Sequence, residues 1–343
     1  MPSTGARSAH IGAVRTAHGK ISRVRRAGYG ALLLAASLLT ACGGSPKPVF
    51  QDLGVRAPVV EAYDGTLDPS MAVLPLVPAD AKILEVTDFT QVRLTLGFGE
   101  LDGTSPAADR ARFWHDLPST IALTKGLLHP VDAQLRSRFG FGADDVAWEA
   151  TYTGGARDGW VLAFREDLSM GQVARAVRAG VGPLKSAVVD AADHVVTSAP
   201  PPAGADSWGH DPGLVALVGR PADATYVQRG CLDFDSVFGA GVSDQLASGP
   251  KEVVQELQPL DGFALAFGGQ LVTAQLGADR DDLFSRLRLA GVLPATKPDF
   301  GVAFERGVAD PSTGRLGYQL AKPADAARLT VEQHLPFAVC SLS

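Results

Sequence analysis

The sequence predicts an α+β fold of mainly antiparallel sheets with packed helices, because strand patterns come in pairs and helical patterns lie between them. Residues 146–152 alternate between apolar and polar side chains, as in a strand with one buried face. Residues 160–164 and 263–267 are continuous apolar runs, which are typical of central strands. Residues 170–181 place a methionine and three valines on one face of a helix.

Proline, glycine and charge indicate the other elements. Extended chain is predicted from about Val73 onward. Pro130 suits the first turn of a helix that Gly140 would end. Residues 279–290 begin with aspartates and carry arginines near their end, which favours a helix because these charges oppose its dipole. Residues 198–205 are rich in proline and alanine and predict a loop.

Similar phrases occur in the same order twice along the chain, which indicates two related α/β halves. The matching segments are 78–81 with 221–224, 88–89 with 233–234, 158–164 with 261–267, and 178–181 with 289–292. A repeat would make 160–164 and 263–267 equivalent central strands. Chance similarity in an alanine-rich chain is the alternative, since 323–326 repeats the first phrase in another context. The predicted boundaries are 71–199 for the first half, 200–212 for a linker and 213–343 for the second half.

The N-terminal region has the order of a secretory signal. Arg23, Arg25 and Arg26 precede a short apolar run, 31–39, and small residues then lead to Cys42. The run is far shorter than the ~20 residues that a membrane-spanning helix needs.

Residues 39–42, Leu-Thr-Ala-Cys, resemble the lipobox of bacterial lipoproteins. The resemblance implies a signal peptide over 1–41, attachment of diacylglycerol to Cys42, a lipid (palmitate-type) anchor at the extracytoplasmic face of the cell membrane, and a tether over 42–70. The alternatives are an ordinary signal peptide, or a buried apolar helix in which Cys42 is only a small side chain.

Charge limits the partners. The whole chain has a net charge of −6, and its first 41 residues hold six basic and no acidic side chains. Their removal leaves 302 residues with 25 Lys and Arg against 37 Asp and Glu, a net charge of −12. Such acidity argues against nucleic acid and anionic lipid as partners, because both require a basic surface.

Two cysteines remain once Cys42 carries lipid, namely Cys231 and Cys340. In an oxidising compartment a single pair has one possible connectivity, so the sequence predicts a disulfide between them. Two free buried thiols are the alternative.

The sequence contains no convincing catalytic or metal-binding motif. Residues 248–251 match Ser-x-x-Lys, but Pro250 lies between the serine and the lysine and no companion motif occurs. The five histidines beyond Cys42 lack metal-ligand spacing. The pairs 144–145 and 281–282 are interpreted as surface turns or helix starts. The glycine pairs near 97, 140 and 239 are interpreted as helix ends. The four tryptophans are ordinary core or interface material, with Trp208 expected to be the most exposed.

The predicted function is therefore that of a membrane-anchored extracytoplasmic lipoprotein. It would be non-catalytic, need no cofactor or metal, and bind a protein or a component of the cell envelope. The alternative is a lipoprotein that holds a solute or lipid in a pocket between the two halves. An enzyme with an unfamiliar site is the third hypothesis. Beyond the signal, the chain resembles uncharacterised exported proteins of high-GC Gram-positive bacteria, from which no active-site motif carries over.

Overall fold

The computed structural model describes residues 58–242, 257–292 and 300–341. Ten strands in these ranges form one sheet, and every strand pair in it is antiparallel. Helices pack against this sheet, so the predicted α+β class is confirmed. Cys42 with the whole signal region, and the Ser-x-x-Lys match at 248–251, lie outside the described residues.

The strand order across the sheet is β4-β5-β3-β2-β1-β6-β7-β8-β10-β9. The strands are β1 Ile83–Asp88, β2 Val146–Thr153, β3 Gly159–Phe164, β4 Val188–Asp190, β5 Val195–Thr197, β6 Ala224–Arg229, β7 Gly262–Gly268, β8 Leu271–Gln275, β9 Phe304–Asp310 and β10 Arg315–Leu320.

Helices lie between the strands, joined by short 3₁₀ turns. The described helices are α1 Pro69–Ala72, α2 Phe89–Thr95, α3 Ala107–Asp116, α4 Asp132–Phe139, α5 Met170–Arg178, α6 Pro212–Val215, α7 Phe234–Phe238, α8 Leu283–Val292, α9 Phe300–Ala303 and α10 Pro323–Val331. The predicted helix ends are present, since Gly97, Gly140 and Gly239 follow α2, α4 and α7 with positive φ angles.

The two halves repeat one topology. Read outward from the centre, the first half has the order β1-β2-β3-β5-β4 and the second has β6-β7-β8-β10-β9. A helix follows the first strand of each half, α2 and α7, and another separates the third strand from the fourth, α5 and α8. The pairing of β1 with β6 joins both halves into one continuous sheet.

The strand equivalence predicted from the sequence is wrong by one position. Residues 160–164 lie in β3, the third strand of the first half, whereas 263–267 lie in β7, the second strand of its half. The true counterpart of β7 in this order is β2, whose alternating pattern hides the relation. Apolar runs look alike wherever both faces of a strand are covered, so their similarity did not report position.

Three other predictions need correction. Val73 lies in a helical turn after α1 instead of extended chain, and the helix expected from 279 begins only at Leu283. Trp208, expected to be exposed, is fully buried. The cause is the chain before β1, which packs over Trp208 and is described below.

The apolar cores lie on both faces of the sheet. On one face, α2, α3, α4 and α5 cover the first half, and α7 to α10 cover the second. On the opposite face, α1, α6 and the 3₁₀ turns beside them cover the first half. Leu271 and Val308 of the second half are 62% and 63% exposed, so that face is open there among the described elements.

Two aspartates that the sequence suggested were on the surface are buried. Asp144 is 1% exposed, accepts a hydrogen bond from Trp114 Nε1 at 2.7 Å, and forms ion pairs with Arg110 and Arg136. Burial raises the pKa of the Asp144 carboxyl despite these partners. Such a carboxylate is tolerated inside a protein only because cations and donors surround it.

Asp282 organises another buried network, in the second half. It is 2% exposed and pairs with Arg280 and Arg286, each at 2.7 Å. Arg286 also donates to the backbone oxygens of Phe337 and Val339, at 2.8 and 3.0 Å. This arginine, expected only to oppose the helix dipole, therefore fastens the C-terminal segment to α8.

The predicted disulfide between Cys231 and Cys340 is present, with the two Cα atoms 5.0 Å apart. Backbone hydrogen bonds flank it, because Leu232 donates to Ala338 O and Cys340 donates to Leu232 O, both at 2.9 Å. The bridge and Arg286 thus hold the same terminal segment from two sides.

Removal of the disulfide should weaken folding strongly. The bridge spans 109 residues, and loop-closure entropy predicts a loss of about 4–5 kcal/mol in the free energy of unfolding when Cys231→Ser and Cys340→Ser are combined. Denaturant unfolding of the double variant and of the wild type, each with and without reductant, measures this loss. Reduction should weaken only the wild type, and equal stability of the two oxidised proteins would contradict the role given to the bridge.

Asp88 should make stability depend on pH. Its side chain caps α2 by accepting from the N–H groups of Thr90 and Gln91, yet burial raises its pKa to about 6 from an ordinary 3.8. Between these values the folded state binds more protons than the unfolded state, so stability falls as the pH rises through this window. Asp88→Asn keeps the acceptor without the charge and should add about 1–2 kcal/mol at pH 7.5.

The difference between Asp88→Asn and wild type should shrink towards zero below about pH 4. Asp233→Asn is the matched control, because Asp233 caps α7 in the same way but is exposed. Chemical unfolding across this pH range measures both. A gain from Asp88→Asn that did not vary with pH would exclude the titration as its cause.

Candidate functional site

The segment before β1, residues 58–77, lies across the sheet face of the first half and is called here the arm. The N–H of Val60 donates to Gly209 O at 2.8 Å, and the N–H of Trp208 donates to Val77 O at 3.0 Å. A side chain at Gly209 is excluded, because a Cβ there would lie 2.2 Å from Val60 O. The arm therefore sits on the chain around Trp208 and buries that indole.

A cavity of about 510 Å³, the arm cavity, opens between the arm, the ends of β2 and β3, and the turn that joins β4 to β5. This volume falls in the range of small-ligand sites. Its lining mixes aromatic, charged and small side chains. The lining residues are Tyr63, Gly65, Thr66, Ala147, Trp148, Ala163, Phe164, Arg165, Glu166, Ala192, Asp193 and His194.

Two aromatic side chains form one wall of the arm cavity. The ring centroids of Tyr63 and Trp148 are 6.4 Å apart, and the ring planes are tilted by 35°. Burial, followed by the nearby charges of Asp193 and Asp64, raises the pKa of the Tyr63 hydroxyl to about 12. The hydroxyl thus stays protonated in a negative local potential and can donate or accept a hydrogen bond.

The turn between β4 and β5 forms a second wall and is held rigidly. Asp190 Oδ1 accepts from the N–H groups of Ala192 and Asp193 at 3.0 and 3.2 Å. His194 has a φ of 54°, an uncommon conformation for a residue with a side chain. The Nδ1 atom of His194 lies 3.1 Å from Arg165 O, and the N–H of Phe164 donates to the backbone oxygen of His194 at 2.8 Å.

Arg165 and Glu166 bring charge to the rim of the arm cavity. The Arg165 guanidinium lies 3.2 Å from Asp167 Oδ1 through Nε, and its Nη1 donates to Leu101 O at 3.4 Å. Its charge is thus partly offset by a neighbour. Glu166 is exposed beside it. Together the walls offer hydrogen-bond donors and acceptors around an aromatic surface.

The arm cavity has few side chains of the kinds that act as nucleophiles. Thr66 is the only Ser or Thr in its lining, and no cysteine lines it. His194 places Nδ1 3.1 Å from the backbone oxygen of Arg165. Over the described ranges, no cluster of three or more His, Cys, Asp or Glu side chains is placed to hold a metal ion.

A smaller cavity of about 120 Å³ adjoins the arm cavity, and Tyr63 and Asp193 line both. Its remaining lining is mainly aliphatic. The other lining residues are Leu76, Val188, Val189, Asp190, Val195, Thr197 and Pro201. Tyr63 and Asp193 therefore belong to the lining of both a mixed space and a mainly aliphatic one.

A buried polar cluster on the opposite, helix-covered face marks the neighbourhood of the junction between the halves. Glu149 is 3% exposed and accepts hydrogen bonds from Thr124 Oγ1 and from the N–H of Leu127, the latter at 2.7 Å. Burial raises the pKa of the Glu149 carboxyl, and likewise that of Glu85 on the next strand. The space that this cluster encloses is too small for a water molecule. Its contacts hold the loop before α4 in place.

The residues singled out from the sequence are distributed widely. Cys231 and Cys340 form their disulfide in the second half and do not line the arm cavity. Of the five histidines, all within the described ranges, only His194 lines it. Trp148 also lines it, whereas Trp208 lies beneath the arm. Sequence reasoning missed Tyr63, because it falls in the range interpreted as tether, and no local motif joins it to Trp148 or His194.

Comparison with known proteins adds no relative. No family model, no curated protein and no solved structure matches the chain. Within the part of the chain that the structure describes, no helix is both long and apolar enough to cross a membrane.

Gly209→Ala should release the arm. The added methyl would collide with Val60 O and would also approach the backbone of Pro75, so we expect a loss of about 1–3 kcal/mol in the free energy of unfolding. Hydrogen exchange read by mass spectrometry should show faster exchange over residues 58–67, because the N–H of Val60 loses its acceptor.

Gly268→Ala is the control for this substitution, since nothing lies within 4 Å of a Cβ at that position. It should leave exchange in the arm unchanged. Equal exchange of residues 58–67 in wild type and Gly209→Ala would show that the contact at Gly209 does not hold the arm.

Proposed function

We propose that this chain is an extracytoplasmic lipoprotein, anchored to the cell membrane through lipid on Cys42, that binds its ligand in the arm cavity without catalysing a reaction. The anchor rests on the sequence of the signal region, where basic residues, a short apolar run and Leu-Thr-Ala-Cys occur in that order. Two acyl chains on one cysteine suffice for stable anchoring.

The single observation that carries the binding role is the arm cavity itself. It has the volume of a small-ligand site, an aromatic wall, and charged groups of both signs at its rim. Rigid neighbours hold its walls, namely the strand ends and the hydrogen-bonded turn that carries Asp193. A preformed cavity of this kind lowers the entropy lost when a ligand is ordered.

The short chain between Cys42 and the arm is consistent with ligand binding close to a membrane. Fifteen residues lie between Cys42 and residue 58, where the described chain begins, and this stretch could span at most about 58 Å even if fully extended. The arm, which supplies Tyr63 to the cavity, follows directly. A ligand presented by the membrane or by another envelope protein would thus be within reach.

The alternative of a pocket between the two halves has less support. The arm cavity and its smaller neighbour are lined by the arm, the first half and Pro201 alone. The polar cluster near the junction is filled. A solute or lipid site therefore has a better candidate in the arm cavity than at the junction.

The anchor is tested by metabolic labelling with a palmitate analogue. Wild type should incorporate the label and sediment with membranes, whereas Cys42→Ala should lose both the label and membrane association. The double variant Cys231→Ala/Cys340→Ala is the control and should stay labelled, because its lipidation site is intact. Label on Cys42→Ala would refute the lipoprotein assignment.

A further inference from the structure

The arm cavity and the smaller cavity together form a site with two adjoining compartments. They share Tyr63 and Asp193 as lining residues, so a ligand that fills both would lie against these two side chains. In an extended peptide, side chains i and i+2 point to the same side about 6.6–6.8 Å apart. Two such side chains of one segment can therefore enter two adjoining compartments.

The smaller compartment favours an aliphatic group. Its volume of about 120 Å³ is well above the roughly 10–15 Å³ of such volume that one water molecule needs. Val188, Val189 and Val195 line it. A branched aliphatic side chain fits such a space.

The larger compartment favours a positive group. Glu166 and Asp193 line it, Asp64 acts on the Tyr63 hydroxyl, and the one arginine at its rim is paired with Asp167. Aromatic faces attract cations, and Tyr63 and Trp148 supply two. An ammonium or guanidinium group would meet both kinds of attraction there.

The neighbouring strand offers backbone contacts to an extended chain. β4 is an end strand of the sheet, and Val188 to Asp190 pair only with β5 among the described strands. Its outer edge can accept another strand in the way that sheet edges bind peptides. Val188 and Asp190 also line the smaller compartment.

Resting on the binding role proposed above, we propose that the ligand is an extended segment of a partner protein that carries a basic side chain and, two residues away, a branched aliphatic side chain. The basic group enters the arm cavity and contacts Tyr63, Trp148 and Asp193. The aliphatic group enters the smaller cavity behind Tyr63. The acidity of the chain beyond residue 41 favours encounter with such a basic partner.

The test measures binding of capped pentapeptides to the full chain in detergent by calorimetry. The probes are acetyl-Ala-Lys-Ala-Leu-Ala-amide and the peptide with lysine and leucine exchanged, since the structure does not set the direction of the segment. At least one should bind. Replacing its lysine by glutamine, or its leucine by alanine, should weaken binding about tenfold, and replacing lysine by glutamate should weaken it further.

Variants of the chain locate the binding. Asp193→Asn should weaken the lysine peptide about three- to tenfold and leave the glutamine peptide unchanged, a difference that general unfolding would not produce. Tyr63→Ala should weaken both peptides. Asp279→Asn is the matched control, because Asp279 is an exposed aspartate of the second half that lines neither cavity.

The outcomes separate this inference from the proposed function. If the glutamine or glutamate peptide binds at least as tightly as the lysine peptide, and Tyr63→Ala weakens it, the charge assignment is wrong while the cavity remains a binding site. If no peptide binds in a manner that depends on Tyr63, the peptide assignment is wrong. The binding role is then tested separately by native mass spectrometry of the full chain purified from its membranes. A bound mass that is lost in Tyr63→Ala would support the role, and the absence of any such mass would refute it.

Discussion

The pairing of β1 with β6 is the contact on which the rest of the molecule depends. Five residue pairs, from Ile83–Gln228 to Thr87–Ala224, join two five-stranded halves that would each otherwise expose an edge at this position. Both strands are the first of their half, so the later strands of each half extend outward from this pairing. The helices of both halves lie on the same face of the joined sheet. Unpaired central edges would invite association with other chains, so joining them also protects the fold.

On this common frame the two halves differ in what covers them. The loop between α3 and α4 sends Ile121 and Leu123 into the apolar core of the second half, and Glu149 holds the same loop through Thr124 and Leu127. The arm covers the other face of the first half, and the core beneath it extends to Val227 and Ala264 of the second half. Farther along the second half, Leu271 and Val308 are exposed on that face among the described residues. The cavity exists because of this difference, since its walls combine the arm with strand ends of the shared frame.

The parts of the fold that depend on local pattern were predictable. Alternation in β2, the apolar runs in β3 and β7, the helical face of α5 and the turn glycine Gly140 each report structure within a few residues. The disulfide was predicted from chemistry, on the expectation that lipid on Cys42 would leave two cysteines to pair, and the pair is present. Register and burial of charge were not predictable, because they depend on distant partners: Asp144 is buried beside Arg110 and Arg136, and nothing next to Asp144 in sequence reveals this. The candidate site has the same property, since Tyr63, Trp148 and His194 come from three separate segments.

The arm has a mechanical consequence if the chain is pulled from its N-terminal side. A load applied along the chain before residue 58 would reach the arm first, where the bond from Val60 to Gly209 and the burial of Trp208 resist it. The contact between Tyr63 and Trp148 would be loaded next, before the sheet behind it. The arm supplies one wall of the cavity, so pulling the arm away would also open the cavity.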